Sequence, residues 1–141
     1  MCMVVVKNLS KVINFKKEQK AILTNINLEC PETGMVLLYG NSGCGKTTLL
    51  NILEGLDKKY SGTAEILGKN LKKCNIAKLL KRDVSIIFQE SNFINGYTVL
   101  ENIKLMFSTK GLKFDPFLIN TKLKQFKIND ILNKKIETLS G

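Results

Sequence analysis

Apolar positions along the chain fall into three patterns, and each predicts a different element. Residues 35–39 (MVLLY) and 84–88 (VSIIF) are nearly unbroken apolar runs. Such runs suit strands buried on both faces, as in a parallel sheet. Residues 25–30 (NINLEC) alternate instead, with Ile26, Leu28 and Cys30 on one face and Asn25, Asn27 and Glu29 on the other. That is the pattern of a half-exposed strand. Residues 3–9 (MVVVKNL) are β-branched, and 62–68 (GTAEILG) lie between glycines; both read as strands, and PETG at 31–34 reads as a turn. The third pattern is helical. Leu49, Ile52, Leu53 and Leu56 share one face of a helix,. Residues 76–81 suit one or two helical turns. Residues 98–107 (TVLENIKLMF) open with Thr98 and carry Glu101 three positions on, which is a capping box. Asp115 followed by Pro116 opens a further helix, with Ile119, Leu123 and Phe126 as its apolar stripe. The interleaving of strands and helices predicts an α/β fold, without an internal repeat or a low-complexity linker.

Between the run at 35–39 and the helix that starts near residue 46 lies GNSGCGKT, Gly40, Asn41, Ser42, Gly43, Cys44, Gly45, Lys46 and Thr47. The spacing is G-x-x-x-x-G-K-[ST], placed after a strand and before a helix, which is the context a P-loop needs. The glycines let the backbone curl so that successive N–H groups converge. Together with the positive end of the helix dipole they form an anion site. Side chains at Gly43 and Gly45 would crowd a phosphate or force disfavoured dihedrals. Lys46 brings a compact positive charge to the outer phosphates. The Thr47 hydroxyl suits Mg²⁺, and Thr48 suits the inner phosphate. The loop alone does not separate ATPases, GTPases and kinases.

Composition narrows the classes. The 141 residues suit one domain, and an apolar share of 44% argues against global disorder,. Net charge is +10, but its source is lysine; Arg82 is the only arginine and the chain has no tryptophan. A nucleic-acid binder relies on bidentate arginines and stacking aromatics, so nucleic acid is not expected as a partner. The lysines read as a solvated surface with weak attraction to anionic lipid. Four cysteines at 2, 30, 44 and 74 form no CxxC pair, which fits reduced thiols better than zinc. No apolar run has the length of a membrane span, and the N-terminus lacks the features of a secretory signal.

GNSGCGKTTLLNILEGLDKKYSGTAEILGK, then VSIIFQESNFINGYTVLENI, then LSG together resemble the nucleotide-binding subunit of ATP-binding-cassette (ABC) transporters. The wording NILEGLDKKYSGTAEI is most similar to the lipoprotein-releasing and macrolide-export branch. The resemblance implies a P-loop NTPase core of ABC type with an N-terminal antiparallel β subdomain and the start of a helical subdomain. Residues 1–90 would hold the β subdomain and P-loop core, and 91–141 the helical part up to the signature. It implies ATP and Mg²⁺ as ligands. Phe15 would stack on adenine. Gln89, ending the Phe88-Gln89 strand, would reach Mg²⁺ and the water near the terminal phosphate. Ser140 and Gly141, opening the family's Leu-Ser-Gly-Gly-Gln signature, would contact the nucleotide of a second ATP-binding subunit. Residues 90–97 would face a transmembrane permease. The subunit would be peripheral on the cytoplasmic face of the membrane.

The same resemblance implies an apolar strand ending in Asp-Glu and a later histidine. Neither occurs in the sequence, which has no histidine and stops inside the signature. The chain is therefore expected to lack its C-terminal part, to bind ATP weakly, and not to hydrolyse it alone. The run at 35–39 is expected to lack a strand neighbour and to expose an edge. The competing reading is a non-catalytic nucleotide-binding or interaction module that pairs with a complete ATPase subunit. A GTPase would need Asn-Lys-x-Asp, and NKKI at Asn133 fails at its fourth position.

Overall fold

The computed structural model describes residues 2–15, 18–89 and 92–139. The chain divides into two compact units, Met1–Leu80 and Lys81–Gly141.

The first unit is built on an antiparallel sheet. β1 (Cys2–Phe15) and β2 (Glu18–Pro31) form a long hairpin, followed in the chain by α1 (Lys46–Leu53), β3 (Ser61–Ile66) and β4 (Lys69–Asn70). The sheet order is β2-β1-β3-β4, with every described pairing antiparallel. The valine run at the start of β1 pairs with the alternating run of β2, Val4 opposite Cys30 and Val6 opposite Leu28. The alternation is realised as read: Ile26, Leu28 and Cys30 are half-buried, and Asn25, Asn27 and Glu29 are exposed. The register slips between Val6 and Leu9. Asn8 and Asn25 both have positive φ there, 49° and 50°, and asparagine tolerates that conformation better than most residues.

The core of this unit lies between the sheet and α1. Val6, Leu9, Leu23, Ala64 and Ile66 from the sheet are buried, as are Leu49 and Ile52 from α1. Fully burying a side chain of this size contributes ~1.5–3 kcal/mol. α1 is shorter than its apolar spacing predicts. It ends at Leu53, Gly55 turns the chain at φ 76°, and Leu56 is exposed. α2 (Ile76–Arg82) fills the place of the expected short helix and buries Leu79.

The two unbroken apolar runs correct the sequence reading. Neither 35–39 nor 84–88 is a strand. Met35, Leu37 and Tyr39 are 92%, 82% and 91% exposed, and Ile87 is 97% exposed. The physical reason is the backbone. A strand in the middle of a parallel sheet satisfies its N–H and C=O groups only through neighbouring strands, and among the described residues neither run has a ladder partner.

The second unit is helical. α3 (Val99–Lys110) has the predicted capping box: the Glu101 amide donates to the Thr98 hydroxyl at 3.2 Å, and the Thr98 amide donates to the Glu101 carboxylate at 2.7 Å. The Thr98 amide, joined by the Thr98 hydroxyl donating to the same carboxylate oxygen at 2.9 Å, holds the Glu101 carboxyl below its ordinary range. α3 ends on Gly111 at φ 68°. α4 (Pro116–Gln125) starts as read, with Asp115 accepting from the amides of Phe117 and Leu118. Its stripe is only partly used: Leu123 is buried, whereas Phe126 lies beyond the helix and is 71% exposed. Phe107 meets Phe114 edge-on at 5.6 Å. The start of α3 and Tyr97 just ahead of it are tied to residues 132–136 through Val99 N–H to Lys134 O, Leu100 N–H to Leu132 O and Ile136 N–H to Tyr97 O.

Candidate functional site

The glycine-rich loop is a shaped turn leading into α1. Gly43 and Gly45 adopt φ 79° and 99°, conformations in which an L side chain is strained. Their surroundings differ. A Cβ on Gly43 would meet nothing within 4 Å, whereas one on Gly45 would lie 2.7 Å from Leu23 Cδ2 and 3.1 Å from the Ile22 carbonyl oxygen. One side of the loop is open and the other is seated on β2. The Cys44 amide donates to Asn41 O at 3.3 Å and closes the turn.

Lys46 folds back over the loop. Its Nζ donates to the carbonyl oxygens of Gly40 at 2.7 Å and Asn41 at 2.8 Å, and lies 3.7 Å from Cys44 Sγ. An ammonium held this way stays beside the loop amides instead of sampling solvent. α1 begins at Lys46 with no side-chain cap and no acidic residue in its first turn. Its leading amides have no acceptor within the helix. They therefore offer donors and the positive dipole end to an anion. Thr47 is exposed at this terminus, and Thr48 is half-buried.

The other residues named from the sequence lie in other parts of the chain. The Phe15 backbone ends β1, paired with Glu18; its side chain lies outside the described residues, as do Ser140, Gly141, Glu90 and Ser91. Gln89 is exposed and belongs to the second unit. There it lines a groove of about 710 Å³ with Ile86, Phe88, Phe93, Ile94 and Met106 among its walls. Among the described residues, no cluster of three or more His, Cys, Asp or Glu could hold a metal ion by itself, and no helix is long and apolar enough to cross a membrane.

Two features of the site were not visible in the sequence. One is the seat that Ile22 and Leu23 make under Gly45. The other is a partly buried ion pair beyond α1. Lys11 Nζ lies 2.5 Å from Asp57 Oδ2 and donates to Lys59 O at 2.7 Å, while the Lys59 amide donates to Asp57 Oδ1 at 2.8 Å. The Lys11 bond, helped by the Lys59 amide, holds the Asp57 carboxyl below its ordinary range against some desolvation. Tyr60, next in the chain, is buried, and its hydroxyl has no hydrogen-bond partner among the described residues. Burial raises its pKa, and Lys72 Nζ sits 4.2 Å from its ring centre. A lysine on an alternating strand gives no sequence sign that it is buried.

Comparison with known proteins bears on what this loop serves. The family model described as "ABC transporter" matches residues 23–141. The chain is 35% identical over 140 residues to the spermidine/putrescine import ATP-binding protein PotA of Spiroplasma citri, covering 95% of this chain and 39% of that protein. It is 34% identical over 141 residues to the lipoprotein-releasing system ATP-binding protein LolD of Francisella tularensis, covering 96% and 61%. Its fold matches the dimeric ATP-binding cassette MJ0796, solved in a post-hydrolysis state with ADP and Pi. The TM-score is 0.81 at 29% identity, covering 98% of this chain and 63% of that one. The chain thus spans less than two thirds of each of these three proteins.

Proposed function

The chain belongs to the ABC transporter family, and from that premise we propose that it is an ATP-binding subunit, taking the phosphates of Mg·ATP on residues 40–48 to drive a membrane permease. The observation that carries this reading is the loop itself. Two glycines with positive φ, an ammonium folded onto the loop carbonyls and an uncapped helix start converge at one place. Backbone amides of the loop would hold the inner phosphates, and Lys46 the outer ones. Mg²⁺ would arrive with the nucleotide; the Thr47 hydroxyl suits a hard cation already carried by phosphate oxygens and water. Phe15 supports the adenine ring in this reading. Ser140 and Gly141 meet nucleotide bound to a second ATP-binding subunit. The dimeric state of the MJ0796 cassette supports that arrangement. The subunit would lie on the cytoplasmic face of the membrane, with residues 90–97 toward the permease.

Chemistry at the terminal phosphate needs a base to orient and activate water. The 141-residue sequence has no apolar strand ending in Asp-Glu. That favours binding over turnover for this chain alone. Isothermal titration with Mg·ATP separates binding from its absence. Binding is expected, with Lys46→Ala weakening it by about 100-fold, near 2.7 kcal/mol. A folded sample giving no magnesium-dependent heat overturns the reading. Phosphate release above that of the Lys46→Ala variant would contradict the expectation of no turnover.

A further inference from the structure

We propose that one rung of the β1–β2 ladder, Lys11 opposite Leu23, positions both ends of α1, and that Leu23 is thereby a positioning residue for the phosphate loop. This rests on the reading of residues 40–48 as the nucleotide site. The two residues are direct partners in the ladder, and both are buried, Leu23 at 5% and Lys11 at 7% exposure. Each reaches a different end of the helix.

Leu23 reaches the start. Its Cδ2 fills the space where a Cβ on Gly45 would be, 2.7 Å away, and the neighbouring Ile22 carbonyl closes the same side at 3.1 Å. Gly45 is the residue before α1, and its carbonyl accepts the Leu49 amide at 2.9 Å, the bond that closes the first turn. Lys11 reaches beyond the far end. Its ammonium holds Asp57 and the Lys59 carbonyl, and the Asp57 amide donates to Asn51 O at 3.1 Å within the last turn of α1. A short helix of 8 residues gains little stability from its own backbone. Its orientation comes from what it is packed on. Here both fastenings converge on one rung, so the direction in which the leading amides point is set by the hairpin.

The test takes the δ carbons of Leu23 away from Gly45, since a valine side chain ends at two γ carbons. Leu23→Val is compared with Leu9→Val, a matched deletion at a residue buried in the same sheet that does not face Gly45. Two readouts are taken on each variant. The first is amide exchange of Leu49, whose acceptor is Gly45, relative to Glu54, whose acceptor is Leu50. The second is the affinity for Mg·ATP. Leu23→Val is expected to speed Leu49 exchange relative to Glu54 and to weaken ATP by about fivefold, whereas Leu9→Val leaves the exchange ratio unchanged. Leu23→Ile, which keeps the volume but moves the branch point, is expected to shift the ratio in the same direction by less, and it decides the matter if Leu23→Val does not fold. Equal exchange ratios in the Leu23 and Leu9 variants overturn the proposal. If the unaltered protein binds no ATP, the nucleotide reading falls, and the exchange ratio still decides whether Leu23 seats the turn.

Discussion

The start of β1 and the segment before the glycine loop are near equals in sequence and opposites in structure. Val4, Val5 and Val6 form a strand, flanked by β2 on one side and β3 on the other. Residues 35–39 are as apolar and stand largely in the open. Side-chain character does not separate them. What differs is where the backbone partner comes from. β1 and β2 face each other across a two-residue connection, so the chain brings its own partner. A parallel strand takes its partner from a distant segment across a crossover. An apolar run is therefore a strand only where a second backbone satisfies the first.

The strongest way to break that contrast is to damage the paired side. Gly62 in β3 has φ 77°, and a Cβ there would run into the Asn8 carbonyl oxygen. The clash is with backbone at the irregular step between Lys7 and Ser10, so no side chain can move aside. Gly62→Val is expected to cost ~4 kcal/mol, enough to unfold a marginal unit. Loss of the cooperative urea transition, followed by circular dichroism, checks it. A variant as stable as the parent would mean that the β1–β3 pairing contributes little.

A milder comparison sharpens the same point with two aliphatic deletions. Ile52 is 0% exposed and Leu37 is 82% exposed. Ile52→Ala should cost ~3 kcal/mol, through lost transfer energy and the cavity left behind. Leu37→Ala should change stability by less than ~0.5 kcal/mol and should reduce self-association, because it thins an exposed apolar patch. Urea midpoints measure the first effect, and light scattering the second. A large loss of stability in Leu37→Ala would show that this run is packed in solution, and the contrast would fail.

How far the sequence reads through to the structure follows the same division. Features set by nearest neighbours were legible: the alternation of β2, the Thr98–Glu101 capping box, the Asp115–Pro116 helix start, and the positive φ of Gly43 and Gly45. Each depends on a few adjacent residues. Features set by distant partners were not. Residues 35–39 and 84–88 have the pattern of buried strands, but pattern does not supply a ladder. The P-loop spacing points to a turn before α1, yet nothing in it shows that Gly45 rests on Leu23 from another element. Nor does it show that Lys11 is buried against Asp57. Leu56 and Phe126 fit their helical stripes and are exposed because their helices end before them.

The smallest effect probes the electrostatic part of the paired side. The Asp57 carboxyl accepts from the Lys11 ammonium and the Lys59 amide, which depress it below its ordinary 3.8. A carboxyl depressed in the folded state binds its proton more weakly there than in the unfolded chain. The pair therefore stabilises fully above the unfolded value, and its contribution shrinks as pH falls through 3.8 toward the folded value. Glu101 and Glu137 are depressed as well, by hydrogen bonds in the second unit, so the parent's acid limb mixes several groups. Subtracting Asp57→Asn isolates one. The amide keeps the shape and an acceptor for the Lys59 amide, but removes the charge facing a buried lysine. The stability difference between parent and variant should be ~2 kcal/mol at pH 7. It should hold that value down to about pH 5 and diminish below the unfolded pKa. Urea midpoints measured for both proteins from pH 3 to pH 7 give the curve. A difference that stays constant across that range would mean that packing of the side chain, not its charge, fastens the chain beyond α1 to β1.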